Sequence, residues 1–187
     1  MRVITGRARG RNLRTVPGDT VRPTSQRVKE AIFSVIQFDI EGRRVLDLFS
    51  GSGQLGIEAL SRGARAAVFV DSSRASLTVT QENLRHTGLH AAAVLVPADA
   101  LGYLSTRPEP FDIVFLDPPY NARLLPKALD AIVLFDIVNP GGIIICEADR
   151  SFEPPALPVP YRCGRTYRYG AKAVTLYQKE MPGGVFV

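Results

Sequence analysis

Residues 45–56 read VLDLFSGSGQLG. A short apolar run breaks into Gly51, Gly53 and Gly56 at G-x-G-x-x-G spacing, then continues as a helical pattern, and Asp71 lies 20 residues beyond Gly51 at the end of the next apolar run. A strand, a glycine loop and a helix in that order turn backbone N–H groups toward a ligand at the helix N-terminus, with an acid placed to hold a ribose. Such a unit belongs to an α/β fold whose ligand site lies at the carboxyl ends of the strands.

The same alternation extends outward. Apolar runs at Val45–Phe49, Ala66–Val70, Ala92–Val96, Phe111–Leu116 and Gly142–Cys146 are separated by helical patterns at 54–62, 73–86, 99–106 and 122–134. Runs without polar alternation suit strands buried on both faces, which predicts a mostly parallel sheet with helices on both sides. Gly63 and Gly88 fall just past helices, where a left-handed cap suits glycine. After Cys146 a proline-rich loop at 154–160 precedes Tyr161–Arg165 and Val174–Gln178, expected to complete a seven-stranded sheet as an antiparallel hairpin. Upstream, Thr24 or Ser25 caps a helix with Val28, Ala31, Ile32 and Val35 on one face. The turn Glu41-Gly42-Arg43 divides an N-terminal unit (1–40) from the main domain (41–180), and the tail 181–187 is expected to be disordered.

The chain of 187 residues has a net charge of +5, all of it at one end. Residues 1–29 hold seven Arg and one Lys against the single acid Asp19, a net +7, so residues 30–187 carry −2. Gly6 and Gly10, set between short apolar pieces, predict a hairpin presenting Arg7, Arg9 and Arg11, with Arg22 assigned to the same surface. An acid-free basic patch of this kind favours phosphates through counterion release, so nucleic acid is the expected partner. Cys146 and Cys163 form neither a disulfide framework nor a C-x-x-C metal pair, which predicts a reduced, cytoplasmic protein without a metal. No stretch approaches the roughly 18 apolar residues of a membrane span, and the N-terminus lacks a signal peptide's apolar core.

Asp47, inside VLDLF, decides what the glycine loop binds. A carboxylate at about 5 Å from a pyrophosphate would repel it by about 3 kcal/mol at an effective dielectric near 20. A ligand carrying an ammonium and a sulfonium would be attracted instead, and S-adenosylmethionine has both. Its ribose suits Asp71, and its adenine amine suits Asp99 in Pro97-Ala98-Asp99-Ala100. The next informative stretch is FLDPPY, 115–120, at the end of the fourth apolar run. Two prolines fix the backbone and remove two N–H donors, so the turn offers acceptors: the Asp117 carboxylate and the Pro118 carbonyl. Accepting both hydrogens of a nucleobase amine would aim its lone pair at a methyl donor, and Tyr120 supplies a ring for stacking worth about 1–3 kcal/mol.

Together RPTSQRVKEAIF (22–33), VLDLFSGSGQLGIEALSRGA (45–64), VDSS (70–73), FDIVFLDPPY (111–120) and RYG (168–170) resemble the bacterial 16S rRNA guanine-N2 methyltransferases of the RsmD type over about residues 1–179. The resemblance implies a Rossmann-like class I methyltransferase fold with a small N-terminal β-hairpin. It also implies S-adenosylmethionine as cofactor and a guanine of 16S rRNA as substrate, within an assembled or assembling small-subunit particle. By it Asp47, Gly51, Gly53, Asp71 and Asp99 contact the cofactor, while Asp117, Pro118 and Tyr120 hold the guanine amine. A monomer is expected. Ser50 and Gln54 depart mildly from the pattern. A DNA amino-methyltransferase would share D-P-P-Y but needs a recognition domain for which this length leaves no room. The remaining rivals are a nicotinamide-dependent oxidoreductase, which Asp47 disfavours, and a non-catalytic RNA-binding assembly factor, for which the basic arm alone would suffice.

Overall fold

The structure, a computed structural model, describes residues 1–16, 26–119 and 124–182. Arg22, the caps Thr24 and Ser25, Tyr120 and the tail residues 183–187 lie outside them.

A single sheet organises the chain. In chain order the elements are α1 (Gln26–Val35), β1 (Arg44–Asp47), α2 (Gln54–Ser61), β2 (Ala66–Asp71), α3 (Arg74–Thr87), β3 (Ala93–Pro97), α4 (Ala100–Ser105), β4 (Phe111–Leu116), α5 (Leu124–Leu134), β5 (Val138–Asp149), β6 (Tyr161–Tyr169) and β7 (Lys172–Lys179). The seven strands run in the order β3-β2-β1-β4-β5-β7-β6. Pairings among β1 to β5 are parallel, while β7 runs antiparallel to both β5 and β6. Strand order reverses between β1 and β4, and a crevice at the carboxyl ends follows from that topology.

Both sheet faces are covered, as the continuous apolar runs required. On one face Val45, Ile113, Phe115 and Ile145 pack with α1, α2 and the N-terminal arm, where the Phe33 and Phe115 rings sit 5.6 Å apart, tilted at 48°. On the other, Leu46, Val114, Leu116 and Cys146 pack with α4 and α5.

The structure differs from expectation most in the last three strands. The fifth, expected over Gly142–Cys146, spans 12 residues, Val138–Asp149. Asn139-Pro140-Gly141 resembles a turn, yet a register irregularity opposite Phe111 and Ile113 absorbs it, with Gly141 at φ +77°. The closing hairpin also extends beyond its predicted 161–165 and 174–178, because β6 is an edge strand whose Arg162, Arg165 and Arg168 need no apolar cover.

The arm is a reduced hairpin. Arg2 and Asn12 form an antiparallel bridge, and Val3 N–H donates to the Arg11 carbonyl at 2.9 Å. Val3, Ala8 and Leu13 are buried in the same cluster as Ile57 and Leu60, and Val28, Ile32, Phe33, Ile36 and Ile40 join them, so the described residues among the first 40 share a core with the sheet. Gly6 fixes the docking: at φ +85° it lies so close to α2 that a Cβ would sit 1.8 Å from the Ser61 carbonyl oxygen.

Candidate active site

Past Asp47 the chain turns through the glycine loop into α2. Gly51 and Gly53 hold φ of +51° and +78°, a left-handed backbone that suits glycine. Gly56 serves packing instead: a Cβ there would lie 2.3 Å from the Phe69 ring, so its absence lets α2 close onto β2. The loop's polar groups are then fixed from three sides. Gly51 N–H donates to Asp71 Oδ2 at 2.8 Å and Gly56 N–H to Asp47 Oδ2 at 2.9 Å. From α3, the Thr80 hydroxyl donates to the Gly51 carbonyl at 2.8 Å and Asn83 Nδ2 to the Ser52 carbonyl at 2.9 Å.

A cavity of about 350 Å³ opens over this loop at the strand ends; Phe49, Gly51, Asp71, Asp99, Asp117 and Pro119 are among its walls. Asp71 has each oxygen on a backbone amide, since Oδ1 also accepts from Ser73 N–H at 2.8 Å. Asp99 is exposed and caps α4, accepting from Gly102 N–H at 2.9 Å. Neither bond exhausts a carboxylate's acceptor capacity. Asp47 differs. It is 2% exposed, is not among the described cavity-lining residues, and anchors Gly56 from beneath. Gly53, likewise not among them, supplies the left-handed entry to α2. Burial pushes the Asp47 carboxyl up to about 7, opposed by the Gly56 N–H and reinforced by the Asp117 and Asp71 charges. Asp71, Asp99 and Asp117 line the crevice and Asp47 lies beneath it, a field that favours a cation.

The turn after β4 forms a partition. Asp117 and Pro118 are half-buried, and Pro119 lines both the first cavity and a second one of about 370 Å³. Leu125, Glu147, Phe152 and Lys172 are among the other walls of the second cavity.

The basic arm packs beside α3 and α2. Arg7, Arg9 and Arg11 are all exposed; Arg7 Nη2 reaches the Leu60 carbonyl at 3.4 Å and Arg11 donates to the His86 carbonyl. Asn83 ties arm to loop, accepting from Arg14 N–H at 2.8 Å and donating to the Arg14 carbonyl at 3.0 Å.

Comparison with known proteins identifies the family and the fold. The family described as Conserved hypothetical protein 95 matches residues 1–178. YlbH of Bacillus subtilis is 39% identical over 182 residues, covering 96% of this chain and 99% of that protein. Ribosomal RNA small subunit methyltransferase D of Escherichia coli is 32% identical over 185 residues, covering 98% and 92%. The solved structure of yhhF from Escherichia coli superimposes with a TM-score of 0.88 at 33% identity, covering 96% of this chain and 98% of that one. The chain belongs to the RsmD family. Its fold is the Rossmann-like class I methyltransferase fold, and the cofactor of that class is S-adenosylmethionine.

Several residues of this RsmD-family site carry no clear signal in the sequence. Thr80 and Asn83 share the buried face of α3 with Ser76 and Thr87, and polar residues recurring on a buried stripe are the one available sign. Glu58, the one acid of α2, is fully buried and accepts from Ile4 and Thr5 N–H at 2.8 and 3.0 Å. It also pairs with Lys29 at 3.4 Å and Arg62 at 2.8 Å, clamping the arm to the helix that carries the glycine loop. Burial lowers the Lys29 pKa, and Glu58 opposes that shift. Among the described residues no cluster of potential metal ligands occurs, and no helix is long and apolar enough to cross a membrane.

Proposed function

We propose that this protein transfers a methyl group from S-adenosylmethionine to the N2 amine of a single guanine of small-subunit (16S) rRNA, in an assembled or assembling particle. One observation carries the reading: two cavities of about 350 and 370 Å³ meet at Pro119, with the acceptor-bearing Asp117-Pro118 turn between them. Both volumes lie in the range of small-ligand sites, about 300–1,000 Å³.

The residues of the first cavity fit the cofactor. Asp71 and Asp99 retain lone pairs for ribose hydroxyls and an adenine amine. On the loop, Ser50 Oγ and Gln54 Oε1 are buried without a hydrogen-bond partner among the described residues. Such oxygens are costly to leave unpaired, and an ammonium group would satisfy them. Bound there, S-adenosylmethionine would supply a methyl group on a positively charged sulfur able to take the carbon–sulfur electron pair as leaving group.

The chain's own part is to orient the amine. The Asp117 carboxylate and Pro118 carbonyl accept its two hydrogens, which turns the nitrogen lone pair toward the methyl carbon. The proton released on alkylation passes to Asp117 or water. Tyr120 provides a stacking ring, while the Arg7, Arg9, Arg11 and Arg22 surface contacts rRNA phosphates. The base must be flipped out or unpaired to enter. Incubating the protein with methyl-labelled cofactor and unmethylated small-subunit particles or free 16S rRNA tests this. Label in one N2-methylguanosine is expected, whereas N6-methyladenosine would refute the base assignment and unlabelled RNA the activity.

A further inference from the structure

The second cavity has a polar pair at its back. Leu116 and Cys146 are the last paired rung of β4 and β5, so Asp117 and Glu147 are the next residues on the two neighbouring strands. Glu147 is 4% exposed, and Lys172 Nζ lies 3.7 Å from its Oε1 and 3.8 Å from Asp149 Oδ1. The β5–β7 register makes this placement, setting Lys172 opposite Asp149 and Val174 opposite Glu147. Pro118, Pro119, Leu125 and the half-buried Phe152 supply apolar wall for the faces of a base.

A carboxylate beside an ammonium is an acceptor beside a donor. Along its pairing edge guanine presents O6, an acceptor, then N1–H and N2–H, both donors. Lysine meets O6, the carboxylate meets N1–H, and Asp117 with the Pro118 carbonyl takes N2. Adenine or cytosine with its amine at Asp117 would set a ring-nitrogen lone pair against the carboxylate, and either base turned over would set its amine against the ammonium and leave none at Asp117. Uracil has the matching oxygen and N–H but no amine to methylate. We infer that Glu147 and Lys172 are the specificity determinants that select guanine, by reading N1–H and O6. The inference rests on the proposed amine methylation and adds the residues that choose the base. A site that hydrogen-bonds a substrate's polar groups discriminates strongly against analogues lacking them, because its own buried groups are left unpaired.

The test uses 2-aminopurine, which keeps the 2-amine but lacks O6 and N1–H. After the labelled guanine is mapped, rRNA is prepared with that nucleotide as guanine or 2-aminopurine, and methyl transfer to each is measured. Wild-type protein should prefer guanine by about 100-fold or more in kcat/KM. Glu147→Gln, whose amide both donates and accepts, should slow guanine methylation and narrow the preference to within about tenfold. If that variant does not fold, as judged by cofactor affinity, Lys172→Gln should narrow the preference in the same direction by removing the ammonium that meets O6. Equal methylation of both bases by wild type, or variants that slow both bases equally, would overturn the inference. Lack of transfer to any RNA by wild type would overturn the underlying activity instead.

Discussion

On the glycine-loop side of Pro119, the cavity is built round a backbone loop held by bonds from β1, β2 and α3, whereas on the far side the polar wall consists of side chains from β5, β7 and the loop after β5. The first arrangement is rigid before any ligand arrives: the loop carbonyls and amides already have Asp71, Asp47, Thr80 and Asn83 as partners. The second depends on the register of three strands that are distant in sequence. A cofactor that is the same in every turnover suits a preformed cradle, and an RNA base that has to enter suits a more open pocket. If so, substitutions on the two sides should separate binding of one ligand from use of the other.

The largest effect is expected at the partition itself. Asp117→Ala should lower kcat for methyl transfer by about 10²–10³, the range for removing one positioned polar group from a transition state. S-adenosylmethionine affinity, read by calorimetry, should stay within about twofold. Turnover near wild type would sink the acceptor mechanism, and a collapse of cofactor binding would show that the two sides are not separable at Asp117.

On the opposite side, Asn83→Ala removes three hydrogen bonds, to Ser52 and to both backbone groups of Arg14. With buried groups left unsatisfied at about 1–3 kcal/mol each, cofactor Kd should rise by about tenfold or more while kcat at saturation changes little. A normal Kd would mean that the loop holds its shape without α3.

A smaller effect is set by pH. Asp47, with its carboxyl near 7, is ionised above that value and neutral below it. A cationic ligand favours the ionised form, so affinity should increase a few-fold from about pH 5.5 to about 7.5 and level off, with proton release on binding. Folding has the opposite sign: between the ordinary carboxylate range and about 7 the folded chain keeps a proton the unfolded chain has lost, so the ligand-free protein should lose stability as pH rises through that window. Asp47→Asn should flatten both profiles, and unchanged titrations would place the responsible group elsewhere.

The same contrast explains what could be read from sequence. The donor side is local: VLDLFSGSGQLG and Asp71 carry strand, loop, helix and acid within one supersecondary unit, and periodicity resolves them. Asp99 is legible as a residue, although its bond to Gly102 N–H makes it a helix cap as well. Glu147 and Lys172 become neighbours only through an antiparallel ladder whose register the one-dimensional pattern does not specify. Glu58 shows the converse limit. An acid in an otherwise apolar helix looks solvent-facing, yet here it is fully buried because Ile4, Thr5, Lys29 and Arg62 all supply donors.

The arm offers the finest test, since it adjoins the donor side but is assigned to RNA. Arg11 already donates to the His86 carbonyl and Arg7 reaches the Leu60 carbonyl, while each guanidinium has further N–H groups to offer a phosphate. Replacing Arg7, Arg9 and Arg11 together by Ala should weaken rRNA binding and reduce the steepness of log K against log salt by about 0.7–0.9 for each phosphate no longer neutralised. Because Gly6 and the buried Val3, Ala8 and Leu13 hold the arm on α2, cofactor Kd should not move. Arg9→Ala alone should cost about one such increment. Arg11→Ala alone should alter the slope by a similar amount but also remove one of the arm's ties to α3, the bond to the His86 carbonyl, so comparison of the two separates phosphate binding from docking of the arm. An identical salt slope in the triple variant would show that RNA approaches the partition from another direction.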